Sequence, residues 1–244
     1  MSGCRLEVDG LCVEAAGRRL VEAVSFALAR GELVALVGAS GAGKSLIGRS
    51  VVGLIPFQPG VVAGEVRFVS DTTSVVVPPM GAGRAAALRQ LRGGCVSWIP
   101  QDALAALAPV YTIGRQLRDT LRHHRHPHEA SAIHNALSQA GFSHPEQVVG
   151  QYPHTLSGGM ARRAQVALGL ATGAPFLVAD EPTTGLDKPV QVRLVQTLRA
   201  LVDAGHGVLW ITHELGLVHR FADRALHVDA GRLTPTGAQA GEQA

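Results

Sequence analysis

Four short segments of the sequence are apolar at almost every position, which is the pattern of a strand buried on both faces of a sheet. They are residues 33–37, 96–99, 176–179 and 208–211. Helical patterns lie between them, and in residues 190–202 the leucines and valines recur on one face. Strands that alternate with helices predict a mostly parallel sheet that is covered by helices on both sides.

Two other parts of the chain have different patterns. Residues 4–30 alternate in places between apolar and polar positions, and we expect short antiparallel strands there. Residues 103–156 have no strand-like segment but two helical patterns, over 113–121 and 132–140, which predict a helical insertion within the α/β core. Residues 236–244 have no apolar periodicity, so they are expected to form a flexible tail.

The composition raises the question of a membrane span, because 46% of the residues are hydrophobic and only 17% are charged. The most apolar uncharged segment, residues 164–179, is interrupted by Gln165, Gly169 and Pro175. A span requires roughly 20 apolar residues, so we expect no segment to cross a bilayer. The first residues have no basic region that leads into an apolar core, and no export signal is expected.

Charge and cysteine content narrow the class of protein further. A formal net charge of +3 is too small to indicate binding to nucleic acid. The cysteines have no metal-ligand spacing, which favours reduced thiols in a cytoplasmic protein: Cys4, Cys12 and Cys95.

A glycine-rich segment follows the first apolar strand. Residues 38–45 match G-x-x-x-x-G-K-[ST] and open a helix predicted from Lys44 to about Gly53. The glycines let backbone N–H groups point at phosphates, and the helix adds the positive end of its dipole. Lys44 would reach the β- and γ-phosphates, while Ser45 would ligate Mg²⁺. The candidate phosphate-binding residues are Gly38, Ser40, Gly41, Gly43, Lys44 and Ser45.

A second chemical feature is the strand 176–179, which ends in Asp180 and Glu181. Asp180 would hold the Mg²⁺ shell, and Glu181 would orient and polarise the water that attacks the γ-phosphate. A solvated strand end is the alternative. This alternative is plausible for either carboxylate alone. It explains poorly why both carboxylates occur together in a chain that also has a phosphate loop.

Ser157, Gly158 and Gly159 open another predicted helix, 161–172, and would form a second phosphate-binding turn. One nucleotide cannot easily contact two such turns within one subunit. The two turns are reconciled if each subunit offers Ser157–Gly159 to the nucleotide on the phosphate loop of another.

The ordered set of motifs resembles the ATPase subunits of ABC transporters over about residues 5–235. The motifs are the phosphate loop, Gln101, Leu-Ser-Gly-Gly at 156–159, Asp180-Glu181, Thr-Gly-Leu-Asp at 184–187 and His213. The resemblance implies an α/β P-loop NTPase (RecA-like) fold with a mostly parallel core sheet, an N-terminal antiparallel β subdomain and an inserted α-helical subdomain. It also implies one domain over 1–235, with the core at about 1–102 and 157–235 and the helical subdomain at about 103–156.

The resemblance also implies roles for single residues. Gln101 would sense Mg²⁺ and the attacking water, His213 would contact the γ-phosphate, and Asp187 would communicate across a dimer. The implied catalytic residues are then Glu181, His213 and Gln101. ATP and Mg²⁺ are the implied cofactors, with Ser45, Gln101 and Asp180 at the metal.

Residues 101–114 and 152–160, including Met160, resemble the oligopeptide, dipeptide and nickel importer group, with nickel-importer ATPases most similar at the amino end. This implies a peripheral protein on the cytoplasmic face of the inner membrane that drives uptake of a peptide, nickel or a metallophore–metal complex. Its partners would be two transmembrane permeases, a second ATPase (a heterodimer, or alternatively a homodimer) and, indirectly, an extracytoplasmic substrate-binding protein. The alternative is an accessory ATPase of a soluble complex such as carbon–phosphorus lyase.

Three features depart from the pattern or invite another interpretation. Residues 5–25 contain no Tyr or Trp, and Ala15 falls near the position of the usual adenine-stacking aromatic, so weakened discrimination for adenine over guanine is expected. No cysteine-bearing tail follows the core, so no iron–sulfur cluster is expected. The histidines within 123–128 suggest metal binding, but solvated side chains at a helix end are the simpler interpretation.

Overall fold

The computed structural model describes residues 4–234, and these form two sheets and a set of helices. The strands of the described residues are β1 (Arg5–Ala15), β2 (Arg18–Ala29), β3 (Leu33–Val37), β4 (Pro59–Val69), β5 (Ser74–Val77), β6 (Val96–Ile99), β7 (Phe176–Asp180), β8 (Gly207–Ile211), β9 (Arg224–Asp229) and β10 (Arg232–Thr234). The α-helices are α1 (Lys44–Val51), α2 (Arg84–Leu91), α3 (Ile113–His123), α4 (Ala130–Gln139), α5 (Pro145–Val148), α6 (Gly158–Ala171), α7 (Lys188–Asp203) and α8 (Leu215–Phe221). The tail predicted over 236–244 lies outside the described residues.

The core sheet has the strand order β10-β9-β3-β8-β7-β6. All neighbouring strands from β9 to β6 are parallel, and only β10 pairs antiparallel with β9. Every residue of β3, β7 and β8 is buried, because α6, α7 and α8 cover one face of the sheet, while α1 and strands β1, β2, β4 and β5 cover the other. Helices were expected on both faces, but the second face is covered largely by strands. The predicted mostly parallel sheet is confirmed, and its carboxyl edge gathers the segments that follow β3, β7 and β8.

The antiparallel sheet has the order β2-β1-β4-β5. Its first two strands are longer than the short strands expected over 4–30, at 11 and 12 residues. Irregular register between Val8 and Glu14 interrupts their alternation, so the sequence pattern of two long strands looks like several short ones. Strand β4 was not predicted either, because Gly60 and Gly64, both with positive φ, break its apolar run.

Residues 103–156 contain α3, α4, α5 and a 3₁₀ turn at Pro153–Thr155, but no strand. Thr112 caps α3 by accepting a hydrogen bond from the Arg115 N–H at 3.3 Å. Of the helices formed by residues 4–234, none is long and apolar enough to cross a membrane.

Candidate functional site

The segment 38–45 forms a loop between β3 and α1 that has the backbone conformation its glycines allow. Gly41 and Gly43 have φ values of 79° and 103°, in the left-handed region that favours glycine. A Cβ at Gly38 would overlap the carbonyl oxygen of Val228 on β9, so this position excludes larger residues. The loop is thereby held against the sheet.

The amide groups of the loop are available to a ligand. Within residues 4–234, the N–H groups of Gly43, Lys44 and Ser45 have no protein acceptor. Lys44 is buried, and its ammonium donates to the carbonyl oxygens of Gly38 (2.9 Å) and Ala39 (2.8 Å). Free N–H donors and a fixed ammonium at the start of an eight-residue helix form an anion-binding site.

A cavity of about 380 Å³ opens beside this loop. It brings together most of the predicted phosphate-binding residues with two predicted catalytic residues. Its lining residues are Leu20, Ser40, Gly41, Gly43, Lys44, Ser45, Leu46, Gln101 and Glu181.

Asp180, at the end of β7, lies directly behind the loop. Its side chain is fully buried, and Oδ1 accepts a hydrogen bond from Ser45 Oγ at 2.6 Å. Oδ2 has no hydrogen-bond partner among the described residues. Burial raises the pKa of the Asp180 carboxyl; Ser45 and the charge of Arg49 oppose this shift, and the charge of Glu181 adds to it.

This arrangement fits a divalent cation. A buried carboxylate oxygen without a partner, beside a serine hydroxyl, supplies the hard oxygen ligands that Mg²⁺ prefers. Asp180 and Ser45 are therefore the residues that would hold the metal. Gln101, the third predicted metal contact, lines the same cavity and is exposed.

Glu181 has a strained backbone and several neighbours. Its φ of 44° is unusual for a residue with a side chain and is held by an N–H donated to the Ile211 carbonyl oxygen at 2.9 Å. Oε2 accepts hydrogen bonds from Thr184 Oγ1 (2.9 Å) and Gln101 Nε2 (3.5 Å). His213 Nδ1 lies 3.5 Å from Oε1. Two distant segments, at Gln101 and at His213, and Thr184 of the same turn therefore converge on one carboxylate that lines the cavity.

The turn formed by Ser157, Gly158 and Gly159, the signature turn, does not line this cavity. Ser157 caps α6 by accepting from the Met160 N–H at 3.3 Å. A Cβ added at Gly159 would lie 2.8 Å from the Val190 side chain of α7, so the turn packs on that helix. Asp187 caps α7, accepting from the Val190 N–H at 3.1 Å. The structure thus keeps the two predicted phosphate-binding elements apart within one chain.

Sequence reasoning missed four contributors to the site. Leu20 on β2 is 37% exposed and borders the cavity. Thr184 binds Glu181, and a hydroxyl residue three positions after the carboxylate was the available signal. Arg162 and Gln165 on α6 are buried and donate to the carbonyl oxygens of Pro100 (3.1 Å) and Asp102 (3.3 Å). These two hydrogen bonds hold Pro100 and Asp102, the residues on either side of Gln101. They join segments far apart in the chain, so no local sequence pattern could predict them.

The histidine segment lies at the end of α3. The His124 ring packs edge-on against His123 and stacks on His126, whose Nε2 lies 3.2 Å from the Thr172 carbonyl oxygen. Among residues 4–234, no group of three or more His, Cys, Asp or Glu side chains is arranged to hold a metal ion.

The parallel sheet and the loop with its buried lysine define a P-loop protein of the nucleoside-triphosphate-binding class. The sequence profile of the ABC transporter family matches residues 21–184, so the chain belongs to the ABC transporter family.

Individual relatives agree with this assignment. A putative peptide import ATP-binding protein of Brucella abortus is 38% identical over 212 residues, which cover 85% of this chain and 62% of that protein. The glutathione import ATP-binding protein GsiA of Escherichia coli K12 is 34% identical over 221 residues, covering 89% of this chain and 35% of GsiA. The chain therefore spans only part of the length of these relatives.

The fold also matches solved structures. The structure of cbiO1 from Clostridium perfringens, described as part of the ABC transporter complex cbiONQ, has a TM-score of 0.78 at 21% identity. The match covers 94% of this chain and 86% of that one. At this identity the similarity shows the fold, including the predicted antiparallel sheet beside the P-loop core.

Proposed function

We propose that the chain is the ATP-hydrolysing subunit of an importer that takes up a peptide-type substrate. The observation that carries this is the convergence of Gln101, Thr184 and His213 on the Glu181 carboxylate, beside a loop with unpaired N–H donors. A protein that only bound nucleotide would have no need of a carboxylate held in this way beside the phosphate loop.

The chain's own residues would act in a simple order. The loop N–H groups and Lys44 would bind the β- and γ-phosphates, with the ammonium moving from its carbonyl acceptors to the ligand. Mg²⁺, when bound through Ser45 and Asp180, would neutralise charge on the phosphate oxygens. Glu181 would accept a hydrogen bond from water and align it with the γ-phosphorus atom. His213 and Gln101 would fix the carboxylate that performs this step.

The signature turn requires a second chain in this proposal. Ser157, Gly158 and Gly159 lie outside the phosphate-loop cavity of their own chain, yet they present the N-terminus of the 14-residue helix α6. Closure of two chains would bring this turn to the other chain's nucleotide. Asp187, whose side chain caps α7 next to the turn, would then lie at the interface. The partner is either a second, related ATPase, which we favour, or another copy of this chain.

A groove next to Gln101 is the proposed contact for the membrane-spanning permeases. Its volume is about 550 Å³, and Trp98, Pro100 and Tyr111 are among its lining residues. Leu104 and Val110, which are 48% and 71% exposed, add apolar surface on the same connecting segment. Movement of Gln101 with the nucleotide would thereby reach the permease. In this proposal the chain lies on the cytoplasmic face of the inner membrane.

The substrate class rests on the relatives. Similar proteins are named for peptide and glutathione import, which favours a peptide-type substrate over nickel or a metallophore complex. An accessory role in a soluble carbon–phosphorus lyase complex has no such support.

The test of hydrolysis is Glu181→Gln. This change keeps the size and one hydrogen-bond acceptor but removes the negative charge, so ATP should still bind while turnover falls by about 10²–10⁴-fold. The matched control is Glu146→Gln on α5, because Glu146 is exposed and, among the described residues, its side chain hydrogen-bonds only to His144. Phosphate release and ATP retention are measured for both variants. Wild-type turnover in Glu181→Gln would overturn the assignment.

The test of partners is gentle affinity purification of the chain from native membranes. We expect two permeases and a second ATPase to co-purify. Soluble phosphonate-processing enzymes without a membrane protein would instead support an ATPase in another complex.

A further inference from the structure

A second cavity, of about 450 Å³, lies between the end of α4, the start of α6 and one side of α7. Its wall includes Gly159 of the signature turn but no residue of the phosphate-loop cavity. The charged residues in its lining are Arg163 of α6 and Arg193 of α7, and none of its lining residues is acidic. The cavity is therefore a separate and positively charged site.

Arg163 is held in place by its surroundings. Its Nη1 donates to the Gly141 carbonyl oxygen at 2.9 Å, and Nε lies 3.4 Å from the Gly159 carbonyl oxygen. The guanidinium also lies over the Phe142 ring, 4.9 Å from its centroid. The Nη2 group has no acceptor among residues 4–234. A fixed guanidinium with one open edge is prepared to bind an oxyanion with little loss of side-chain entropy.

Arg193 supplies a second cation, and among the described residues it forms no ion pair with a carboxylate. Arg199, two turns further along α7, forms ion pairs with Asp203 and Asp223 at 2.9 and 2.7 Å. Neither Arg163 nor Arg193 lies within ion-pair distance of any carboxylate in the described part of the chain. Burial lowers the pKa of Arg163, and the nearby positive charge of Arg193 lowers it further. Arg193 is exposed to solvent, so an anion bound between the two guanidinium groups would offset a screened repulsion.

We propose that this cavity binds a small oxyanion carrying a phosphate group, held between Arg163 and Arg193. Arginine matches phosphate because its N–H groups can bond two oxygens at once. Ser138 at the end of α4 provides a hydroxyl group in the same wall, whereas the Thr197 hydroxyl donates to the Arg193 carbonyl oxygen at 3.1 Å. The anion would join α4 to α7 and would contact the arginine that bonds to Gly159. Binding at this site does not depend on the proposed hydrolysis.

The phosphate loop also binds phosphate, so the experiment removes that contribution first. Inorganic phosphate is titrated into the Lys44→Gln chain at constant ionic strength, with sodium chloride as the balancing salt, and its dissociation constant is measured by calorimetry. Adding Arg193→Gln should weaken binding by at least about tenfold, the effect of losing one charge-assisted contact. Adding Arg118→Gln, on the exposed face of α3, should leave the dissociation constant unchanged.

Equal phosphate affinity with and without Arg193→Gln would overturn the proposal, and so would a loss of equal size for Arg118→Gln. Arg163→Lys provides a second variant that keeps the charge but loses the two-point geometry, and it should also weaken binding. Glycerol phosphate, titrated in the same way, distinguishes a phosphate ester or lipid headgroup from free phosphate as the source. Crystals soaked in selenate should show anomalous scattering between the two arginines, and its absence there would contradict the site.

Discussion

The buried carboxylate of Asp180 should make the ligand-free protein less stable than it could be. The side chain is fully buried, Oδ2 has no partner, and burial raises the pKa of the carboxyl despite the hydrogen bond from Ser45. For an acid with a raised pKa, the folded state binds the proton more tightly than the unfolded state does. Stability is therefore lost as the pH rises from the unfolded value of about 3.9 through the higher folded pKa, and the whole penalty is present above the folded pKa.

Asp180→Asn removes this charge and keeps an oxygen that can accept from Ser45. An unsatisfied buried polar group costs about 1–3 kcal/mol, and a charged group costs more than a neutral amide. We therefore expect the ligand-free variant to gain about 1–2 kcal/mol in the free energy of unfolding. For a chain of this size, 1 kcal/mol corresponds to about 2–4 °C in Tm.

The same substitution should remove the stabilisation by Mg·ATP. Ligand at 100 times its Kd stabilises the folded state by about 2.7 kcal/mol, and this gain requires the metal contact that asparagine weakens. Thermal unfolding is measured with EDTA and with Mg·ATP, using Asp71→Asn in an exposed loop as the control. A lower Tm than wild type for Asp180→Asn in EDTA would refute the reasoning that the buried charge is costly.

Three further outcomes follow from other parts of the structure. Gly48→Ala should lower the free energy of unfolding by about 1–2 kcal/mol in urea titrations, because the new Cβ would lie 2.5 Å from Ile211 Cδ1. Gly216→Ala is the control: its new Cβ would have no atom within 4 Å, so it should raise the free energy of unfolding by about 0.5–1 kcal/mol. Burial lowers the pKa of His206, so the unfolded state binds the proton more readily than the folded state does. The Tm should therefore fall as the pH drops below about 6.5, and His206→Gln should reduce that fall. The described residues that line the phosphate-loop cavity include Leu20 but no aromatic side chain, so ATP and GTP should bind with Kd values that differ by less than about a hundredfold in equilibrium binding. A larger preference would contradict this prediction.

Much of the candidate site was predictable because its signals are local. The phosphate loop combines glycines of unusual φ with a lysine and a helix start in eight consecutive residues. Asp180 and Glu181 follow directly from a strand that is apolar at every preceding position. Parallel strands place their carboxyl ends at one edge of a sheet, so these two segments had to meet once the sheet was predicted.

Other elements left no such local signal. Strand β4 contains positive-φ glycines and pairs with β1 across more than one irregularity, so its periodicity is broken. The short pair β9 and β10 packs at the edge of the core sheet, and part of it is exposed. In these cases partner strands far away in the chain, rather than local preference, determine the conformation.

The sequence by itself therefore determined the class of fold, the phosphate loop and the two acidic residues, because periodicity and backbone requirements act over a few neighbouring residues. Only the tertiary structure decided that Gln101 and His213 contact the Glu181 carboxylate, and that Arg162 and Gln165 hold the residues on either side of Gln101. It also brought Arg163 and Arg193 together without a carboxylate. These arrangements depend on how helices and strands pack, and packing brings together groups whose separation along the chain has no regular pattern.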